Sequence, residues 1–198
     1  MARAFTLIEL LVVVAIISIL AAIAVPNFLA AQTRSKVSRV RSDLRTLATA
    51  IEAYSADHQR PPYDGDPGFA HFGWVNALKG LTTPVAYLAA LPTDVFQDSA
   101  LAEASRPGHT HYIDGSARSR HSYDYSSAAW EDLPRNPGVA ADWARNMGNS
   151  PWKLSSAGPD LAFVNAGSYY GFRALYDPTN GTASDGDLLR TAANTGGN

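Results

Sequence analysis

Between Phe5 and Ala31 one side chain is charged, the carboxylate of Glu9, and the next charge along the chain is Arg34. A carboxylate in such surroundings is costly, and in a bilayer it is retained where it has a job or a partner. Three further carboxylates, Asp160, Asp185 and Asp187, stand on turns rich in Gly, Ser and Pro. Calcium takes about six to eight hard oxygens from carboxylates and from carbonyls on tight turns, so these three are candidate calcium ligands. Asp beside Gly or Pro also suits a turn without any metal. His109 and His111 could put two imidazoles on one face of a strand, but no carboxylate motif accompanies them. The absence of Cys excludes disulfides, Cys-ligated zinc and thiol catalysis. No Gly-x-Ser-x-Gly, phosphate-binding loop or zinc-protease motif occurs. These residues point to a charge held in oil and a cation held by turns, and the chain is read as a non-enzyme.

Glu9 must be positioned by the element that contains it. Leu10 to Val25 is apolar throughout except for Ser18. As a helix this stretch rises about 24 Å, and with Phe5 to Ile8 it can cross a hydrocarbon core of roughly 30 Å. A secretory signal would have a shorter apolar core, and a plain anchor would not need Glu9. Arg34, Lys36, Arg39, Arg41 and Arg45 follow the span, whereas Arg3 and the amino terminus precede it. The positive-inside rule alone favours the orientation that leaves the following part inside.

Pro26 removes one helical hydrogen bond without having to end the helix. Beyond it, Val37, Val40, Leu44, Leu47, Ile51 and Tyr54 form an apolar stripe at helical spacing. Arg39, Arg41, Asp43, Arg45 and Glu52 are assigned to the opposite face. Arg60-Pro61-Pro62 stops the helix. One helix from Phe5 to Asp57 would be roughly 80 Å long. Its first half must meet lipid or other subunits, and its second half must lie on a globular part. The cations from Arg34 to Arg45 read as a solvated face for neighbouring acidic groups. A stripe for nucleic acid is disfavoured by the net charge of −2 and by the lack of interleaved aromatics.

The rest of the chain, 59–198, reads as a head with insertions near 98–121 and 132–148. The second insertion is expected to be a loop with a helical turn around Ala140 to Ala144. A short helix is expected over Trp74 to Leu81, and a turn over Val85 to Leu91. Ser122 to Ser126 and Trp152 to Ser156 read as strands, with a weaker third at Tyr169 to Leu175. The fold class is α+β, a long N-terminal helix packed on a small antiparallel sheet.

Met1 to Ala4, Phe5-Thr6-Leu7-Ile8-Glu9-Leu10, the apolar helix and Pro26 closely resemble the N-terminus of type IV pilin-like proteins. Leu91-Pro92-Thr93-Asp94-Val95-Phe96, Leu154 to Asp160 and Tyr176 to Leu188 are similar to segments of the major pseudopilin of type II secretion. The resemblance implies a leader (1–4), an assembly helix (5–28) that also spans the membrane, and an amphipathic continuation (29–58). It implies cleavage by a prepilin peptidase between Ala4 and Phe5, followed by N-methylation of Phe5; the family usually has Gly where this chain has Ala4. It implies assembly through Phe5, Glu9 and Pro26, with Glu9 pairing to the Phe5 amine of a neighbouring copy. It implies calcium at the two C-terminal segments. The partners implied are further copies in a helical filament, minor pseudopilins, an inner-membrane assembly platform and the bilayer before assembly. The place implied is the bacterial inner membrane, single-pass, with the head periplasmic. A pilin for adhesion, motility or DNA uptake is the alternative, against which the missing Cys weighs.

Overall fold

A computed structural model describes residues 5–62, 77–96, 123–128, 137–156, 158–159, 176–177, 179, 186 and 188–193. Helix α1 runs from Leu7 to His58, as the periodicity predicts. Thr6 caps its start in extended conformation (φ −84°, ψ 151°), and Gln59 ends it in the left-handed region (φ 58°, ψ 21°). The Gln59 side-chain amide donates to the Ala56 carbonyl at 2.9 Å. Pro61 and Pro62 follow and cannot resume the helix. Pro26 lies inside α1, where its missing N–H leaves the Ala22 carbonyl without its usual donor. Ser18 donates its hydroxyl to the Val14 carbonyl at 2.8 Å, so this polar side chain of the span is satisfied within the helix.

The two halves of α1 differ in what covers them. Every residue from Phe5 to Leu29 is exposed, with Leu7 at 80% and Ile23 at 63%. From Val37 onward the apolar stripe is covered, and Val40, Leu47 and Ile51 retain no exposure. Each large side chain buried there stabilises the fold by roughly 1.5–3 kcal/mol.

A three-stranded antiparallel sheet lies on that stripe in the order β1-β2-β3. Its strands are β1 (Asp124–Ser127), β2 (Trp152–Ser156) and β3 (Leu188–Thr191). Tyr125 opposes Leu154, which opposes Arg190. Tyr125, Trp152, Leu154 and Leu188 therefore share the face toward α1 and join its core, together with Leu78, Leu81 and Phe96. A 3-10 turn at Ala77–Leu81 supplies Leu78 and Leu81. The expected turn over Val85 to Leu91 is present as a chain of bends.

The stretch expected to be a loop with a helical turn is instead helix α2, Pro137–Met147. Trp143 and Met147, four residues apart, are buried and pack on Leu189 of β3. Leu189 belongs to the sheet face turned away from α1. Helix α2 thus lies on the far face, and the arrangement is helix, sheet, helix. Strand β2 is central in the sheet and buried along its whole length, including Lys153 and Ser155. The third strand is at Leu188–Thr191, where none was expected; Tyr169 to Leu175, Trp74 to Asn76 and the insertion at 98–121 lie outside the described residues.

A second correction concerns the polar face of α1. Arg41 and Asp43 do not face solvent alone. Tyr123 donates its hydroxyl to Asp43 Oδ2 at 2.8 Å. The Arg41 guanidinium lies over the Tyr176 ring, 5.8 Å from its centre. At about 100° per residue, both positions lie at the margins of the buried stripe rather than opposite it, and the head closes over them. Nearby, Asp94 is buried. Its Oδ1 accepts the Phe96 N–H at 3.0 Å, whereas its Oδ2 has no hydrogen-bond partner among the described residues. Burial raises the Asp94 pKa above its ordinary value, more than the hydrogen bonds from Ser156 and Phe96 lower it, and the Asp43 charge adds to the rise.

Candidate assembly site

At the start of α1, Phe5, Ile8, Glu9, Val12 and Val13 line one open groove. Phe5 is 71% exposed and Ile8 69%. Glu9 is the third residue after the Thr6 cap, and the two form a complete capping box. The Thr6 amide donates to Glu9 Oε2 at 2.9 Å and the Thr6 hydroxyl donates to the same oxygen at 2.7 Å. In return the Glu9 amide donates to Thr6 Oγ1 at 3.3 Å. Two amides that the helix cannot pair internally are satisfied this way.

This arrangement fixes where the charge sits. The carboxylate is folded back toward the start of α1, where the helix dipole favours a negative group. Phe5 lies just before the Thr6 cap, four residues ahead of Glu9. An amine on Phe5 and the Glu9 carboxylate would be opposite charges on the rim of one apolar surface. Two such groups on neighbouring copies can neutralise each other when that surface is buried, and a buried pair of this kind confers register rather than net stability.

Of the residues singled out from sequence, Phe5 and Glu9 share this groove and Pro26 lies about three and a half helical turns beyond Val13, farther along α1. Ala4 lies outside the described residues, as do Asp160, Asp185, Asp187, His109 and His111. Among the described residues no three His, Cys, Asp or Glu side chains cluster as a metal would need. Thr6 was not singled out, although the spacing Thr6-x-x-Glu9 before an apolar run is the sequence signature of a capping box.

Residues 1–25 match the family described as the prokaryotic N-terminal methylation motif. The chain is 37% identical to the type IV major pilin protein PilA of Myxococcus xanthus over 121 residues, 53% of this chain and 55% of that protein. It is 45% identical to the type IV major fimbrial protein FimA of Dichelobacter nodosus over 80 residues, 39% of this chain and 47% of that protein. It is also 38% identical to the type II secretion system core protein G of Klebsiella pneumoniae over 60 residues, 30% of this chain and 43% of that protein. No solved structure matches. The chain spans about half the length of the first of these relatives, 55% and 47%. With its methylation motif, its exposed apolar half-helix and its small antiparallel sheet, the chain is similar over about half its length to type IV pilin-like proteins.

Proposed function

We propose that this chain is the subunit of a pilin-like filament serving a type II protein secretion system. The observation that carries the filament reading is the apolar half of α1, exposed on every side from Phe5 to Leu29 and bearing one charge, at Glu9. Such a surface needs lipid or other copies to cover it. Before assembly the half-helix spans the inner membrane, with the head on the periplasmic side. A prepilin peptidase cuts between Ala4 and Phe5, and the new Phe5 amine is methylated. Glu9 then pairs with the Phe5 amine of a neighbouring copy as the helices bundle, and minor pseudopilins and a membrane platform take part.

Two observations favour secretion. The Leu91 to Phe96 segment packs Phe96 into the core and places Asp94 against β2, and the chain has no Cys to close its C-terminal part. We further propose that Asp160, Asp185 and Asp187 hold calcium there. The identities to two major pilins favour a second reading, a surface pilus. Deleting the gene in its own bacterium separates the two. Secretion of exoproteins stops in the first case, with surface fibres intact. Loss of fibres, adhesion or motility with normal secretion establishes the second.

A further inference from the structure

Between Glu9 and Asp43 the chain has no acidic residue, and the first cations after the span are Arg34, Lys36 and Arg39. All three are exposed. Arg34 and Lys36 make no ion pair among the described residues, and Arg39 reaches Asp43 at 3.9 Å with its side chain still 62% exposed. Asp43 already accepts the Tyr123 hydroxyl. Arg41 belongs to the head through Tyr176, and Arg45 lies about 24 Å along the helix from Leu29. Arg34 and Lys36, with Arg39 held only by its long, largely exposed contact to Asp43, form a short cationic group directly after the apolar surface.

Their angular spread decides what they fit. Taking Arg34 as the origin, Arg39 lies about 140° and Lys36 about 200° around the axis. The widest gap faces the side where Val37 and Val40 meet the head. The cations thus ring the open circumference of the helix. A partner helix or a nucleic-acid backbone meets one face of a helix, whereas the plane of a bilayer surface meets the whole circumference. The depth also agrees. Leu7 to Leu29 rises about 34 Å, matching a hydrocarbon core of roughly 30 Å with slight tilt. Arg34 then emerges about 7 Å beyond Leu29, among the headgroups, and the long side chains of Lys36 and Arg39 can reach back to that level.

We infer that Arg34, Lys36 and Arg39 form a collar that binds anionic phospholipid headgroups of the bilayer the chain spans, and so sets the depth of the helix before assembly. The inference rests on the spanning reading of α1. Lipid phosphates supply the counter-charge that the chain itself withholds between Glu9 and Asp43, and each juxtamembrane cation adds to the attraction.

The test uses the full chain and the triple variant Arg34→Gln/Lys36→Gln/Arg39→Gln. Both are placed in nanodiscs of equal phosphatidylglycerol and phosphatidylcholine. The lipids retained by the released protein are counted by native mass spectrometry, and insertion is checked by resistance to carbonate extraction. The unmodified chain should retain phosphatidylglycerol in roughly five- to tenfold excess, and the inserted variant should show a ratio near one. Equal ratios for two inserted chains overturn the inference. So does a variant that keeps its lipid ratio while losing affinity for duplex DNA or for a second copy, because the collar then serves those partners. An unmodified chain that carbonate extracts overturns the spanning reading itself, and this inference with it.

Discussion

Thr6 and Glu9 close a capping box in which both donors to the Glu9 carboxylate belong to Thr6, at 2.9 and 2.7 Å. Cleavage before Phe5 would leave both donors in place, because the Thr6 amide and hydroxyl lie after the cut. The box therefore holds the carboxylate at the helix start in the processed chain as well. Thr6→Val keeps the size and the Glu9 charge but removes the hydroxyl. It should cost about 1 kcal/mol of helix-end stability and reduce pelletable filament several-fold while membrane insertion stays normal. Full assembly by Thr6→Val would show that the box has no part in placing Glu9.

Lys153 and Asp124 form an ion pair between β1 and β2 on the sheet face turned away from α1, with the Lys153 side chain 5% exposed. Asp124 also accepts the Ser155 hydroxyl at 3.0 Å. Removing Lys153 takes a charge-assisted bond from a part-buried carboxylate, which costs more than removing both charges together. Lys153→Met should therefore destabilise the head by about 3 kcal/mol, and adding Asp124→Asn should restore much of that loss. Thermal melting of the single and double variants checks this; equal melting of the single variant and wild type would contradict it.

Asp94 gives the head a pH dependence of known sign. Folding raises its pKa above the ordinary 3.8, chiefly through burial. A carboxyl shifted this way holds its proton more tightly when folded, so its contribution to stability is complete below 3.8 and is lost as pH rises through the higher folded value. The groups facing it, Asp43 and Tyr123, do not offset this: the Asp43 charge adds to the rise, and burial together with the hydrogen bond to Asp43 pushes the Tyr123 hydroxyl far above its ordinary range. Asp94→Asn keeps the acceptor for the Phe96 N–H and removes the titration. The melting temperature of wild type minus that of the variant should rise as pH is lowered toward 3.8. A difference that stays flat would mean that the fold does not raise the Asp94 pKa.

The proposed calcium site is tested by melting the full chain in detergent with millimolar calcium and then with chelator. Calcium should raise the melting temperature by several degrees, and Asp160→Asn or Asp187→Asn should abolish the rise. An unchanged melting temperature sinks the site, since a ligand that binds only the folded chain must stabilise it.

Helix α1 was legible because its signal is periodic over many turns. Val37, Val40, Leu44, Leu47 and Ile51 are buried as their spacing predicts. Strand β2 was legible at its full length because Pro151 and Gly158 closely bracket it. Strand β3 was missed because Leu188-Leu189-Arg190-Thr191 does not alternate. Its outer residue Leu189 is apolar because α2 covers it, and that cover could not be foreseen. Helix α2 is hard to read from sequence because it begins Pro137-Gly138, a pair that ordinarily marks a turn. The Phe5 and Glu9 pattern was legible by its spacing, whereas the role of Thr6 depends on rotamers that close the box.

The most direct test of the account is filament assembly by Glu9→Gln. Glutamine at this position can still close the capping box with Thr6, so the change removes the charge and leaves the cap. The account places the function in the charge, which pairs with the Phe5 amine of the next copy. Glu9→Gln should insert in the membrane as well as wild type and yield almost no sedimentable filament. Filaments at the wild-type level would contradict the account, and would leave Glu9 as a helix cap.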